Sequence, residues 1–227
     1  LMAQLTNLGG EVTYGKVISA QKTENGFEVG TEDGEKYEGK NLIIASGAAH
    51  RHLGIEREQE LIGRGVSYCA VCDGPFFKEK TAAVVGGGSA ALQDALYLAG
   101  ICSKVYLIHR RDTFRAEKSL IDQVMAAKNI ECMMESRVTA LIGEKKLTEL
   151  EVTNLAGEKR TLLTDGLFVA IGMEPHNEVF RDLADLDEAG YVIAGENCKT
   201  RTPGVYAAGD CRTKTVRQLT TAAADGT

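Results

Sequence analysis

The feature that most narrows the fold is a glycine turn, Gly86-Gly87-Gly88-Ser89-Ala90-Ala91, set between the apolar run Thr81–Val85 and a helical pattern over about Ser89–Gly100. It fits G-x-G-x-x-A on Gly86, Gly88 and Ala91. In a strand–turn–helix unit the first glycine permits the tight turn, the second admits a pyrophosphate to the backbone, and the small third residue lets helix and strand pack closely. A simple tight βα turn is the plainer reading. A strand over Lys104–Ile108 and a helix over about Glu117–Lys128 follow, which begins a doubly wound parallel sheet.

Alternating apolar and polar residues predict a three-stranded antiparallel meander over Glu11–Thr23, Gly26–Thr31 and Glu35–Leu42, with turns at Glu24-Asn25-Gly26 and Glu32-Asp33-Gly34. It leads into the buried run Leu42–Ala45, closed by Ser46-Gly47-Ala48. Strand patterns at Ile130–Glu135, Arg137–Ile142, Leu147–Leu155 and Arg160–Leu163 predict a second meander, followed by a second buried run, Gly166–Ile171, ending at Gly172. Two units of one plan, each a Rossmann-type sheet with an inserted meander, read as a duplication with one copy nested in the other. The fold class is therefore α/β, two nested Rossmann-type domains of three-layer ββα architecture. The first unit starts at its meander, without an upstream glycine turn, and the chain stops inside a helical run after Arg217. A fragment, with one domain incomplete, is expected.

Lysine and arginine number 26 against 32 aspartates and glutamates, a net charge of −6. Such a field repels phosphate backbones and anionic lipid, so neither nucleic acid nor membrane is an expected partner. No run approaches the ~18 apolar residues of a membrane helix, and no basic flank or signal core opens the chain, so a cytoplasmic protein is expected. Of six cysteines only Cys69 and Cys72 are close in sequence. At i and i+3 they can close a small disulfide ring and supply a reversible dithiol. Zinc would need four ligands, and neither a second C-x-x-C nor a paired histidine is present, so no metal is expected. Asp73, next to the pair, is either an acid–base group or a helix-cap carboxylate.

The strand after the glycine turn ends at His109-Arg110-Arg111, with Arg115 following. An NAD-type ribose carboxylate is absent there, and guanidinium groups match a 2′-phosphate, which favours NADPH over a merely solvated basic loop. A third constellation is the run Thr202–Asp210, ending in Gly209-Asp210, with Arg217, Gln218 and Leu219 before a helix. Asp210 there is either an acceptor for sugar or ribityl hydroxyls or a structural turn carboxylate, and the helix amides could face an electron-rich ring.

Together, Cys-Ala-Val-Cys-Asp-Gly, Gly-Gly-Gly-x-x-Ala, His-Arg-Arg-Asp-x-Phe-Arg-Ala, Phe-Val-Ala-Ile-Gly and Gly-Val-Tyr-Ala-Ala-Gly-Asp with Arg-Gln resemble bacterial low-molecular-weight thioredoxin reductase, in order and spacing, over almost the whole chain. The resemblance implies an FAD domain over residues 1–51 and 169–227, split by an NADPH and redox-dithiol domain over 52–168. It implies electron flow from NADPH through FAD to the Cys69–Cys72 disulfide and on to thioredoxin, with Asp73 as proton donor. By the same resemblance Gly86, Gly88, Ser89 and Ala91 meet the NADPH pyrophosphate, and His109, Arg110, Arg111 and Arg115 the 2′-phosphate. Ser46 and Gly47 match an FAD turn, with serine for threonine; Gly209 and Asp210 hold the ribityl chain; Arg217, Gln218 and Leu219 flank the isoalloxazine. Gln93 and Asp94 stand where the family usually has two glutamates. The family usually forms homodimers, and one domain rotates on crossovers that here fall near His50–Gly54 and Leu167–Gly172. Competing readings are the flavoprotein component of an alkyl hydroperoxide reductase, a small-molecule dithiol oxidase, and a fragment that binds NADPH without turnover.

Overall fold

The computed structural model describes residues 2–227. They form two compact units, residues 2–49 with 173–227, and residues 50–172.

The unit 50–172 is built on a parallel sheet of five strands, in the order Val66–Ser67, Gly166–Val169, Thr81–Val85, Lys104–Ile108, Ile130–Met133. Its central strands are apolar beyond their first residues, Thr81 and Lys104, because both faces are covered. Ala82 and Val84 face the helix Ser89–Ala99, which buries Ala91, Leu92, Ala95 and Leu98 at helical spacing. Ala83 and Val85 face the opposite way, toward an antiparallel meander of Ser136–Ile142, Glu149–Asn154 and Lys159–Leu163, whose Leu141, Leu150, Val152 and Leu162 complete that side. Three layers result. The two ends of this unit lie together, since the Arg51 N–H donates to the Gly172 carbonyl at 3.0 Å.

One assignment from the sequence is corrected here. Ile130–Met133, expected in the second meander, instead pairs parallel with Lys104–Ile108 as the edge strand of the main sheet. The helix Lys118–Ala126 is the reason, because it serves as the crossover that carries the chain back to the same edge in the same direction.

In the other unit, Val17–Lys22, Phe27–Thr31 and Lys36–Gly39 form an antiparallel meander in sequence order. The first strand is shorter than its alternation predicts, since residues 11–16 are exposed and outside any strand. Leu42–Ile44 departs from the third strand to pair parallel with Val205–Ala207. Phe27, Ile44, Phe180, Leu183, Val192, Val205 and Cys211 are among the residues that fill the core. A helix, Leu219–Asp225, follows the expected start after Arg217.

Candidate active site

Cys69 and Cys72 are joined as a disulfide, with Cα atoms 5.3 Å apart. They sit just beyond the carboxyl end of the edge strand Val66–Ser67, on the helical turn Ala70–Asp73, where open parallel sheets place their ligands. Cys69 caps that turn, its sulfur accepting from the Cys72 N–H at 3.2 Å. Cys72 is the more exposed of the pair. Asp73 stands at the N-cap of the turn that follows it, but its side chain makes no capping hydrogen bond there. Its Oδ2 accepts from Ser67 Oγ at 2.7 Å, and the same hydroxyl accepts from the Cys69 N–H at 3.1 Å, so strand, carboxylate and disulfide share one hydroxyl.

Behind that segment, the Tyr68 hydroxyl lies 2.8 Å from Glu58 Oε1 and 2.6 Å from His52 Nδ1. Glu58 is 3% exposed and also accepts from the Leu53 and Gly54 N–H groups, both at 2.9 Å. Burial and this carboxylate push the Tyr68 phenol well above its ordinary range.

On the same carboxyl edge of the sheet, the glycine turn opens a cavity of about 640 Å³ lined by Gly86, Gly87, Gly88, Ser89, His109, Arg110, Arg111 and Arg115, among others. A Cβ at Gly86 would lie 2.3 Å from the Ala170 carbonyl, and one at Gly87 would lie 2.1 Å from the His109 ring. Neither position admits a side chain. Ala91 is fully buried and meets Gly86 rather than the cavity, which is the close-packing part the spacing gave it. Gly88 precedes the first turn of the helix Ser89–Ala99, whose free N–H groups favour an anion. Further along this helix, burial pushes the Asp94 carboxyl up to about 6.

The basic cluster is not uniform. His109 is 8% exposed, its ring stacks on Phe114, and its Nε2 lies 3.1 Å from the Thr113 carbonyl, to which it donates. Burial, with Arg111, Arg110 and Arg115 nearby, lowers its pKa despite that bond. The imidazole stands as a wedge beneath Gly87. Arg110, Arg111 and Arg115 have no ion-pair partner among the described residues, so their charge stays available to a ligand.

In the other unit, the parallel strands Leu42–Ile44 and Val205–Ala207 end together, bringing Ser46-Gly47 beside Gly209-Asp210; the Ala208 N–H donates to the Ile44 carbonyl at 2.9 Å. Gly209 adopts φ +80°, a left-handed turn that aims the next residue inward. Asp210 Oδ1 is buried and has no hydrogen-bond partner. An unsatisfied buried carboxylate oxygen costs about 1–3 kcal/mol, more when charged, so a ligand hydroxyl at this position fits the donor that the protein withholds. Arg217 stacks over the Tyr191 ring at 4.1 Å and its Nε lies 3.4 Å from the Asp210 carbonyl. Gln218 caps the helix Leu219–Asp225, and Leu219 is exposed.

Two residues here escape sequence reasoning. Asn177 accepts from Ser46 Oγ at 2.7 Å and donates to the Gly190 and Cys211 carbonyls, tying both loops together. Asp225 is enclosed by Arg212 at 2.5 Å and Lys214 at 2.8 Å, and its Oδ2 accepts from the Gly209 N–H at 2.8 Å. The bond from Arg212, then that from Lys214, holds the Asp225 carboxyl well below its ordinary value of 3.8. This stabilisation is fully present above that value and is lost as pH falls below it. Asp225→Ala strands two cations, and is expected to cost about 3–5 kcal/mol and to flatten the acid limb of stability. Urea unfolding at pH 7 and pH 3 checks this; an unchanged midpoint at pH 7 refutes it.

A family model, pyridine nucleotide-disulphide oxidoreductase, matches residues 4–226. The thioredoxin reductase of Listeria innocua is 38% identical over 228 residues, covering the whole chain and 71% of that protein. The chain belongs to this family. The thioredoxin reductase of Streptomyces clavuligerus is 40% identical, again covering the whole chain and 71% of its own length. The crystal structure of thioredoxin reductase from Streptococcus pyogenes superposes with a TM-score of 0.90 at 38% identity, covering 99% of this chain and 74% of that one. The thioredoxin reductase family thus accounts for the α/β fold and for a disulfide beside a nucleotide-type turn. No helix among the described residues is long and apolar enough to cross a membrane.

Proposed function

We propose that this chain acts as a thioredoxin-disulfide reductase, drawing electrons from NADPH by way of FAD and delivering them through Cys69 and Cys72. The observation that carries this reading is the formed Cys69–Cys72 disulfide on the same sheet edge as the arginine-lined cavity. Residues 52–168 are read as the NADPH and dithiol domain, and residues 1–51 with 169–227 as the flavin domain; the two compact units support this division. The enzyme is read as a cytoplasmic homodimer, after its family.

In this reading Gly86, Gly88 and Ser89 hold the NADPH pyrophosphate at the helix N-terminus, and Arg110, Arg111 and Arg115 hold the 2′-phosphate. Asp210 takes a ribityl hydroxyl of FAD, Ser46, Gly47 and Gly209 form the surrounding turns, and Arg217, Gln218 and Leu219 border the ring. When bound, the flavin supplies the exchange between a hydride donor and a disulfide acceptor. The chain's own chemistry is thiol–disulfide exchange. Two electrons and two protons convert the Cys69–Cys72 disulfide to a dithiol. One thiolate attacks the partner's disulfide, forming a mixed disulfide and releasing one partner thiol. The second cysteine then displaces the other partner thiol and re-forms the Cys69–Cys72 bond. Asp73, held by Ser67 beside the pair, supplies the proton to the departing thiolate.

The test is turnover by the flavin-loaded enzyme, read as NADPH oxidation with oxidised thioredoxin or an oxidised peroxide-reducing partner protein as the substrate, and as oxygen consumption with a small dithiol as the substrate. Turnover is expected to depend on thioredoxin. Preference for either other substrate by tenfold or more selects the corresponding rival enzyme, and NADP⁺ binding without any turnover selects the binding-only reading.

A further inference from the structure

The cationic wall of the nucleotide cavity has a contribution that the basic loop does not supply. Arg137 lies in the meander strand Ser136–Ile142, and lines the same cavity as Arg110, Arg111 and Arg115. Its placement follows from the backbone. After the edge strand Ile130–Met133 the chain must leave the parallel sheet for the meander, and it does so through Glu135, a non-glycine residue at φ +51°. That conformation is disfavoured for a side-chain-bearing residue and persists where surrounding bonds dictate it. Here the Glu135 N–H donates to the Arg111 carbonyl at 3.0 Å and the Ser136 N–H to the His109 carbonyl at 2.9 Å. The turn that launches the meander is therefore stitched to the basic loop, and Arg137 is the next residue.

Its charge is uncommitted. Arg137 is exposed, and no described residue forms an ion pair with it. Glu151 of the meander is occupied by Lys159 at 3.1 Å and by Thr139 at 2.9 Å. A surface arginine that serves only solubility would be as well placed anywhere on the meander. This one is held, through two backbone bonds, next to the loop whose three arginines also lack counter-charges. The glycine turn lies on the other flank of that loop, where the Arg115 N–H donates to the Gly87 carbonyl at 2.7 Å. The meander and the glycine turn thus hold the loop at different residues, the meander at His109 and Arg111 and the glycine turn at Arg115.

We propose that Arg137 is a further 2′-phosphate-reading residue, supplied by the meander, so that preference for the phosphorylated nucleotide depends on the meander as well as on the basic loop. This rests on reading the cavity as an NADPH site. A dianionic phosphate has acceptor oxygens enough for several guanidinium groups, and approach from a second element encloses it.

Calorimetric titration of the full chain with 2′,5′-ADP and with 5′-AMP separates the possibilities without need of turnover. The wild type is expected to prefer 2′,5′-ADP; if it does not, the NADPH reading itself fails. In Arg137→Ala the 2′,5′-ADP affinity is expected to fall about tenfold while 5′-AMP changes less than about twofold, on the scale of one charge-assisted contact. Arg137→Lys, which keeps the charge but loses the planar fork, is expected to fall between wild type and Arg137→Ala. Equal weakening of both ligands, or no change in either, overturns the assignment of Arg137 while leaving the NADPH reading intact.

Discussion

Cys72→Ser is expected to bring thioredoxin reduction to background, a loss on the order of 10³-fold or more, because a hydroxyl at neutral pH neither forms the disulfide nor acts as its leaving group. The substitution is structurally mild. Cys72 is exposed, and the contact that orders its turn runs from its backbone N–H to the Cys69 sulfur, which the variant retains. NADP⁺ affinity is therefore expected to be unchanged, since the cavity is lined by other residues. Steady-state turnover with thioredoxin, set beside nucleotide titration of the same variant, checks both halves. Turnover within tenfold of wild type would falsify a dithiol role for this pair, and a parallel loss of nucleotide affinity would mean that the variant had disturbed the sheet edge rather than the chemistry.

Removing the two adjacent guanidinium groups is expected to have the second largest effect. In Arg110→Ala with Arg111→Ala, the preference for NADP⁺ over NAD⁺ is expected to shrink about a hundredfold or more, from about 1.5–3 kcal/mol for each charge-assisted contact. The loop itself should stay in place, because its anchors are main-chain. The His109 N–H donates to the Met133 carbonyl, the Arg111 carbonyl accepts from Glu135, and the Arg115 N–H reaches Gly87. His109 remains as the wedge under the glycine turn, so NAD⁺ binding is expected to change less than about threefold. Dissociation constants for both nucleotides on one preparation are the measurement. An unchanged ratio sinks the 2′-phosphate assignment.

Features with local causes were readable in the sequence. The glycine turn, the helix after it and the apolar central strands follow from spacing and from burial on both faces, and they are where the pattern put them. Ile130–Met133 reads equally as a meander strand or as the edge of a parallel sheet, because both carry the same short alternation. The choice between them belongs to the crossover helix, not to the strand. Residues 11–16 alternate like a strand yet lie outside any strand, and alternation alone does not report whether a ladder forms. The polar clamps were invisible for a different reason. Ser46 and Asn177 are 131 positions apart, and nothing near either residue signals the other. Arg212, Lys214 and Asp225 read as ordinary surface charges until the fold encloses them. His109 adjoins Arg110 and Arg111 in sequence, and the sequence does not show that its ring is buried and stacked on Phe114.

The meeting of Arg51 with Gly172 bears on the order in which the chain can assemble during synthesis. Residues 50–172 are contiguous and close on themselves, so this part has all its strands once residue 172 has emerged. The part around it does not. Among the described residues Leu42–Ile44 pairs in a sheet only with Val205–Ala207, and until that stretch arrives it has no strand beside it. An early-finished insert whose ends already touch holds the waiting halves near each other, so that joining them spans a short gap instead of a loop of more than a hundred residues.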